Sequence, residues 1–143
     1  MTVQPTPVSF ASTGITLARH LRIPEGADPL PALVFTGPFT GVKEQVTGHY
    51  AAALAQRGYV TLAFDHRNID ASEGQPRQHE DAAGKLAELT DATSYLATHP
   101  AVDPQRIGCV GICLGGGYAL QHGRLRPQGG RAGPGRRRLQ QPR

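Results

Sequence analysis

Three short apolar runs, each followed by a helix-forming stretch, constrain the fold of this chain more than any other feature. The runs are residues 32–35, 59–64 and 106–112. Continuously apolar runs of this length are typical of strands that are buried on both faces of a sheet. Strands that alternate with helices build a parallel α/β sheet. We therefore predict an α/β fold, a three-layer α/β/α sandwich with a mostly parallel sheet.

Apolar spacing and end signals place the other elements. The first helix is predicted over residues 43–57, with Gly58 as a left-handed cap after its end. The second is predicted over residues 81–98, with Asp81 as its N-cap. A hairpin of two strands about the turn Thr13-Gly14 precedes both helices. The predicted buried faces are Val46, Tyr50, Ala53 and Leu54 in the first helix, and Ala82, Leu86, Leu89, Thr93 and Leu96 in the second.

Charge divides the chain into two parts. The 143 residues carry a net charge of +4, but seven arginines and no acidic residue follow position 120. Residues 1–120 carry eight basic and eleven acidic groups, the balance of an ordinary soluble domain. Residues 121–143 consist mostly of glycine, proline, arginine and glutamine, a composition that cannot bury a core. We predict a partial domain over residues 1–120 and a disordered tail over residues 121–143.

The cysteines and histidines bear on compartment and metal binding. Cys109 and Cys113 lie four residues apart on one predicted strand, roughly 13 Å along it, which is too far for a disulfide between them. Free thiols, no leader pattern and no long apolar run predict a cytoplasmic protein outside the membrane. The six histidines are scattered along the sequence. We therefore predict no metal and no cofactor.

The stretch "GICLGG" predicts a nucleophile at the tip of a strand-to-helix turn. Cys113 is flanked two residues away on each side by Gly111 and Gly115. Such a turn holds the nucleophile at a strained positive φ, and both flanking positions must be small. The helix N-terminus favours thiolate over thiol. The N–H of Leu114 would face the oxygen of an attacked carbonyl, and we assign a second oxyanion donor to Phe39 in the loop "TGPFTG".

Structural interpretations of the same residues stay open. Cys113 can belong to a glycine-rich packing turn, although a phosphate-binding loop is excluded because Tyr118 stands where that motif needs lysine. Cys109 is interpreted as a core residue. Asp65 is interpreted as a structural carboxylate that binds loop N–H groups, with a place in the substrate loop as the alternative. Lys43-Glu44 is interpreted as a solvated first turn, with orientation of the oxyanion loop as the alternative.

Residues 8–120 resemble the first half of an α/β-hydrolase of the dienelactone hydrolase type. Four stretches taken together carry the resemblance: "GICLGG", "TGPFTGVKEQ", "FDHRNIDASEG" and "HPAVDPQRIGCVG". The resemblance implies hydrolysis of small esters, lactones or thioesters with Cys113 as the catalytic nucleophile, followed along the chain by an acid and then a histidine. Two positions depart from the family pattern: Thr36, where many relatives have histidine, and Asn68, where glycine is common.

The acid and the base that the resemblance implies do not follow Cys113. The last acidic residue is Asp103, and His122 is the only later histidine. His122 lies nine residues along the elbow helix, roughly 13 Å further down it, so it cannot serve as the base. We therefore predict an inactive, truncated fragment of a hydrolase. We attribute the abrupt change of composition near residue 120 to a frameshift in a gene rich in G and C.

Two other functions remain as alternatives. One is an active hydrolase on a small-molecule ester or lactone that a second polypeptide completes. The other is a nucleic-acid-binding protein that acts through its basic tail. The tail lacks the interleaved aromatic residues of a stacking segment, which counts against the second alternative.

Overall fold

The computed structural model describes residues 2–26 and 29–125, which form one five-stranded sheet and three helices. The strands are β1 (Thr6–Ser12), β2 (Ile15–Arg22), β3 (Leu30–Thr36), β4 (Val60–Phe64) and β5 (Val102–Gly111). The helices are α1 (Val46–Ala55), α2 (Ala82–Thr98) and α3 (Leu114–Leu125). Across the sheet the strands follow the order β1-β2-β4-β3-β5.

The sheet is mixed, and its parallel part carries the candidate site. β3 pairs in parallel with both β4 and β5, whereas β2 pairs antiparallel with β1 and with β4. The β1–β2 turn is tight because Thr13 and Gly14 both have positive φ, 47° and 79°, as a two-residue hairpin turn requires. The hairpin therefore makes half of the strand pairings antiparallel. The predicted parallel arrangement holds for β3, β4 and β5.

Helices cover both faces of the sheet, which confirms the predicted α/β/α layers. Successive strand residues point to opposite faces, so Val34 packs with Leu89 and Leu96 of α2 while the next residue, Phe35, packs with Ala51 of α1. α3 lies beside α2, and its Tyr118 packs against the same core. The larger core therefore lies between the sheet and the α2–α3 layer.

The predicted buried face of α1 is wrong except at Leu54, which is partly buried and packs against the smaller core. Val46 and Tyr50 are 40% and 55% exposed, and the buried positions are small: Thr47, Gly48, Ala51 and Ala55. The Thr61 hydroxyl on β4 donates a hydrogen bond of 3.1 Å to the carbonyl of Ala51. Because the helix backbone approaches the sheet this closely, large side chains have no room between them.

α2 agrees better with its prediction, since Asp81 caps it by accepting a hydrogen bond of 2.9 Å from the Gly84 N–H. Leu89, Thr93 and Leu96 are buried as predicted, although Ala82 is exposed. α3 continues to Leu125, beyond the predicted boundary at residue 120. Most of the predicted tail, residues 126–143, lies outside the described residues. None of the described helices is both long enough and apolar enough to cross a membrane.

Candidate active site

The turn between β5 and α3 lies at the carboxyl edge of the parallel strands. Thr36, at the end of β3, pairs with Gly111, at the end of β5. The N–H of Ile112 then donates a hydrogen bond of 3.0 Å to the carbonyl of Thr36. Cys113 follows directly and is exposed. The end of β3 therefore holds the residue that precedes Cys113, at the sheet edge where α/β proteins bind ligands.

Cys113 has the backbone conformation expected of a nucleophile elbow. Its φ is +57°, which is rare for a residue other than glycine, asparagine or aspartate. A Cβ on Gly111 would lie 2.1 Å from the carbonyl oxygen of Gly115, and one on Gly115 would lie 2.2 Å from that of Thr36. Neither position has room for a side chain, so the two flanking glycines are required by packing.

The first turn of α3 leaves a backbone donor next to Cys113. The N–H groups of Gly115 and Gly116 donate to the carbonyls of Ile112 and Cys113, at 3.0 and 2.9 Å. Within the described part of the chain, the N–H of Leu114 takes no hydrogen-bond partner. An orphan N–H at a helix N-terminus is suited to bind a negatively charged oxygen.

The loop after β3 contacts this turn and carries the second predicted donor. It runs from Gly37 to Gly41, whose N–H bonds the carbonyl of Pro38 at 3.0 Å. A Cβ on Gly115 would lie 2.7 Å from the carbonyl oxygen of Gly37, so the start of the loop touches the first turn of α3. Phe39 lies at the tip of the loop and is 59% exposed. The N–H of Phe39 has no partner among the described residues.

A buried ion pair anchors the far end of this loop. The ammonium of Lys43 lies 2.6 Å from Oδ2 of Asp65, and the backbone N–H of Lys43 donates to Oδ1 at 2.7 Å. The structural interpretation of Asp65 is confirmed, but the solvated first turn predicted for Lys43 is wrong. Burial by itself lowers the pKa of Lys43, but hydrogen bonds to Asp65 and Glu44 outweigh that effect and raise it. The ion pair therefore tethers the loop to the end of β4.

Three carboxylates come close together at this anchor. Side-chain oxygens of Glu44, Asp65 and Asp70 lie within 4.8 Å of one another. The ammonium of Lys43 contacts all three, at 2.7, 2.6 and 3.6 Å respectively. One protein cation thus already lies among these carboxylates and offsets part of their negative charge.

The loop after β4 contains a polar network that the sequence analysis missed. His66 lies 3.0 Å from the Thr36 hydroxyl through Nε2 and 2.5 Å from Glu88 through Nδ1. Glu88 also accepts a hydrogen bond of 2.6 Å from Nε of Arg67. The sequence offered one signal that Glu88 faces inward: Glu88 lies four residues from Gly84 and from Ala92, so it shares a helix face with two small residues. In the structure both of these residues are buried. At Asn68, where the family pattern has glycine, φ is +67°, a conformation that asparagine tolerates.

Among the described residues, the carboxylate–histidine pair nearest in contact to the elbow, Glu88 and His66, bonds the Thr36 hydroxyl and makes no contact with Cys113. Asp103 is near the start of β5, the opposite end of that strand, and pairs with Arg106 at 2.7 Å. His122 is buried on α3, with Nε2 3.3 Å from the Thr93 hydroxyl. The described structure therefore brings together the predicted nucleophile turn and the donor loop, and among the described residues no acid–base pair contacts the Cys113 thiol.

Comparison with known proteins finds consistent similarity. A model of the dienelactone hydrolase family matches residues 17–132. The crystal structure of the uncharacterised protein PA2218 of Pseudomonas aeruginosa superposes with a TM-score of 0.83 at 42% identity, covering 87% of this chain and 40% of that one. The α/β-hydrolase GrgF of a Penicillium species gives 0.79 at 29% identity, covering 85% and 42%.

A further curated relative has a named activity. The thiohydrolase aneE of Aspergillus aculeatus is 38% identical over 107 residues, which cover 75% of this chain and 33% of that protein. PA2218 is 45% identical over 121 residues, covering 82% and 33%. The chain thus spans about a third of the length of these curated relatives.

Proposed function

The chain belongs to the dienelactone hydrolase family, and on this premise we propose that it supplies the nucleophile and the oxyanion donors of an acyl-transfer hydrolase. The observation that carries the proposal is an exposed cysteine at φ +57° between two glycines that have no room for a side chain. A packing turn needs the glycines, but it does not need an exposed thiol at a strained position beside an unpartnered N–H.

The proposed chemistry is attack by the Cys113 thiolate on the carbonyl carbon of a small ester, lactone or thioester. Negative charge then develops on the carbonyl oxygen, where the N–H groups of Leu114 and Phe39 stabilise it. One such donor contributes about 3 kcal/mol of transition-state stabilisation. The C–O or C–S bond breaks, the leaving group takes up a proton from water, and the acyl group remains on Cys113 as a thioester. The relative aneE is named a thiohydrolase, which favours thioesters as substrates.

Hydrolysis of that thioester is the step that we propose this chain does not perform alone. A positioned imidazole with a carboxylate behind it activates the attacking water in triad enzymes. The sequence contains no acidic residue after Asp103, and His122 is buried against Thr93. We therefore expect Cys113 to be acylated once and then to stall.

The test uses p-nitrophenyl acetate with the purified chain. We expect release of one p-nitrophenolate per chain, and intact-protein mass spectrometry to show one acetyl group on Cys113. The Cys113→Ala variant should lose this burst. Cys109→Ala is the matched control and should keep it, because Cys109 lies on β5 with its side chain against the core.

Acetylation of Cys109, or no acetylation at all, would overturn the assignment of the nucleophile. Multiple turnovers that are abolished in Cys113→Ala would contradict the expected stall of the acyl-enzyme. They would also contradict the prediction that the chain is an inactive fragment. The cytoplasmic location and the frameshift stay predictions, and nucleic-acid binding by the tail stays the alternative that the sequence counts against. Deletion of residues 121–143 tests the last, since it should abolish any salt-dependent affinity for nucleic acid.

A further inference from the structure

Three buried polar side chains next to the elbow follow the order of a catalytic triad. They are a hydroxyl, an imidazole and a carboxylate: Thr36, His66 and Glu88. The hydroxyl of Thr36 lies 3.0 Å from Nε2 of His66, and Nδ1 of His66 lies 2.5 Å from Oε2 of Glu88. These residues are 1%, 3% and 0% exposed. Because no small molecule reaches the Thr36 hydroxyl in this state, the order of the groups does not make a second active site.

Thr36 joins this network to the elbow. Its carbonyl accepts the hydrogen bond from Ile112, one residue before Cys113. The same carbonyl oxygen lies so close to Gly115 that a Cβ there would come within 2.2 Å. Thr36 also ends β3, directly before the loop that carries Phe39. The backbone of Thr36 therefore adjoins both segments that carry the predicted oxyanion donors.

The network gives Thr36 one preferred orientation. Burial, opposed by the contact with Glu88, lowers the pKa of His66, which favours the neutral imidazole. In that form Nδ1–H donates to Glu88 and Nε2 accepts from the Thr36 hydroxyl. Arg67 binds the other oxygen of Glu88 at 2.6 Å and reaches the Thr13 hydroxyl at 2.6 Å. The end of β3 is thus tied to the loop after β4, to α2 and to the β1–β2 turn.

We propose that Thr36, His66 and Glu88 are positioning residues that hold the Phe39 loop against the elbow, so that the N–H groups of Phe39 and Leu114 point at one oxyanion. This inference rests on the proposed function of Cys113. None of the three residues touches the reacting atoms. Their effect is on the alignment of the donors, and it is separable from the reactivity of the thiol.

The test compares two reactions of Cys113. Acylation by p-nitrophenyl acetate needs the thiolate and the oxyanion donors, whereas alkylation by iodoacetamide needs the thiolate alone. Thr36→Val keeps the shape of the side chain and removes the hydroxyl. We expect acylation to slow about tenfold in this variant and alkylation to stay unchanged. Thr36→Ser, which keeps the hydroxyl, should retain the wild-type acylation rate.

The matched control is Thr93→Val. Thr93 is also a buried threonine whose hydroxyl lies near a histidine, His122, at 3.3 Å, but it lies on α2 away from the donor loop. We expect neither reaction to change in this variant. Glu88→Gln is the second variant. It keeps the size of the side chain and removes the charge that orients His66. We expect it to slow acylation in the same selective way, so it tests the proposal even if Thr36→Val does not fold.

Amide hydrogen exchange tests the positioning without relying on acylation. In Thr36→Val and in Glu88→Gln we expect faster exchange at Gly41 and Ile112, whose N–H groups donate to the carbonyls of Pro38 and Thr36, with exchange in α1 unchanged. If wild-type Cys113 is not acylated, the proposed function fails, and selectively faster exchange would still support the positioning role. Unchanged exchange in both variants, or acylation and alkylation that fall together, would overturn the positioning role.

Discussion

At the residue scale, Gly115 marks the closest approach of the elbow to the end of β3. A Cβ there would meet the carbonyl oxygens of Thr36 and Gly37 at 2.2 and 2.7 Å, whereas a Cβ on Gly117, two residues along the same helix, would meet nothing within 4 Å. The two glycines share a helix and differ in their surroundings. Substituting each with alanine therefore separates packing at the elbow from helix propensity.

We expect Gly115→Ala to lower the free energy of unfolding by about 1–3 kcal/mol, because the end of β3 must move to admit the methyl group. Gly117→Ala should raise it by about 0.5–1 kcal/mol, since alanine loses less backbone entropy in a helix. Urea denaturation measures both changes. If both substitutions stabilise the protein equally, the elbow has room for a methyl group at residue 115, and the close packing against the end of β3 is contradicted.

At the element scale, the Lys43–Asp65 ion pair connects the segment between β3 and α1 to the end of β4. The ammonium and the carboxylate are 2.6 Å apart, and both side chains are buried. Such a pair is costly to break from one side, because the remaining charge stays buried without its partner. The Arg106–Asp103 pair at the start of β5 has a similar distance, 2.7 Å, but the Arg106 side chain is 57% exposed.

We expect Lys43→Met to lower the free energy of unfolding by about 3 kcal/mol, whereas Arg106→Met should change it little because solvent screens that pair. The folded-state pKa of Lys43 lies above its ordinary value of 10.5. The stabilisation from Lys43 is therefore complete below pH 10.5 and is lost as pH rises through the folded-state pKa. Urea denaturation at a series of pH values tests this, since the loss of stability above pH 10.5 should be smaller in Lys43→Met.

At the scale of the whole molecule, the described sheet ends at β5 with one side of that strand unpaired. The strand order is β1-β2-β4-β3-β5, and β5 pairs with β3 alone among the described residues. Apolar side chains are also exposed at the site, at Phe39 and Leu114, and Leu120 is exposed further along α3. An unpaired apolar edge is a template for pairing with another chain.

We expect the isolated chain to associate with itself as its concentration rises, because pairing along β5 satisfies the free backbone groups of that edge. Sedimentation velocity over a range of concentrations measures this. A monomer at all concentrations, with a sharp cooperative melt, would contradict the expectation. The same experiment with a complete relative offers a comparison, since this chain covers only 33% of PA2218.

The sequence by itself determined the features that depend on residues close together in the chain. The turn at Thr13-Gly14, the cap at Asp81 and the backbone of the elbow at Cys113 are present as predicted. Each is set within a few residues by φ preferences and local hydrogen bonds. The order of strands and helices also follows from local apolar runs, which is why the α/β layers could be predicted.

Only the tertiary structure decided which of these local features meet. The buried face of α1 follows from the close approach of β4, so the large apolar residues Val46 and Tyr50 misled the prediction. The contacts of His66 with Thr36 and Glu88 span 30 and 22 residues. They form because β3 lies between β4 and β5 and α2 packs against that sheet. Periodicity in a sequence reports the environment of neighbouring residues, and it carries no information about the order of strands that brings distant polar groups together.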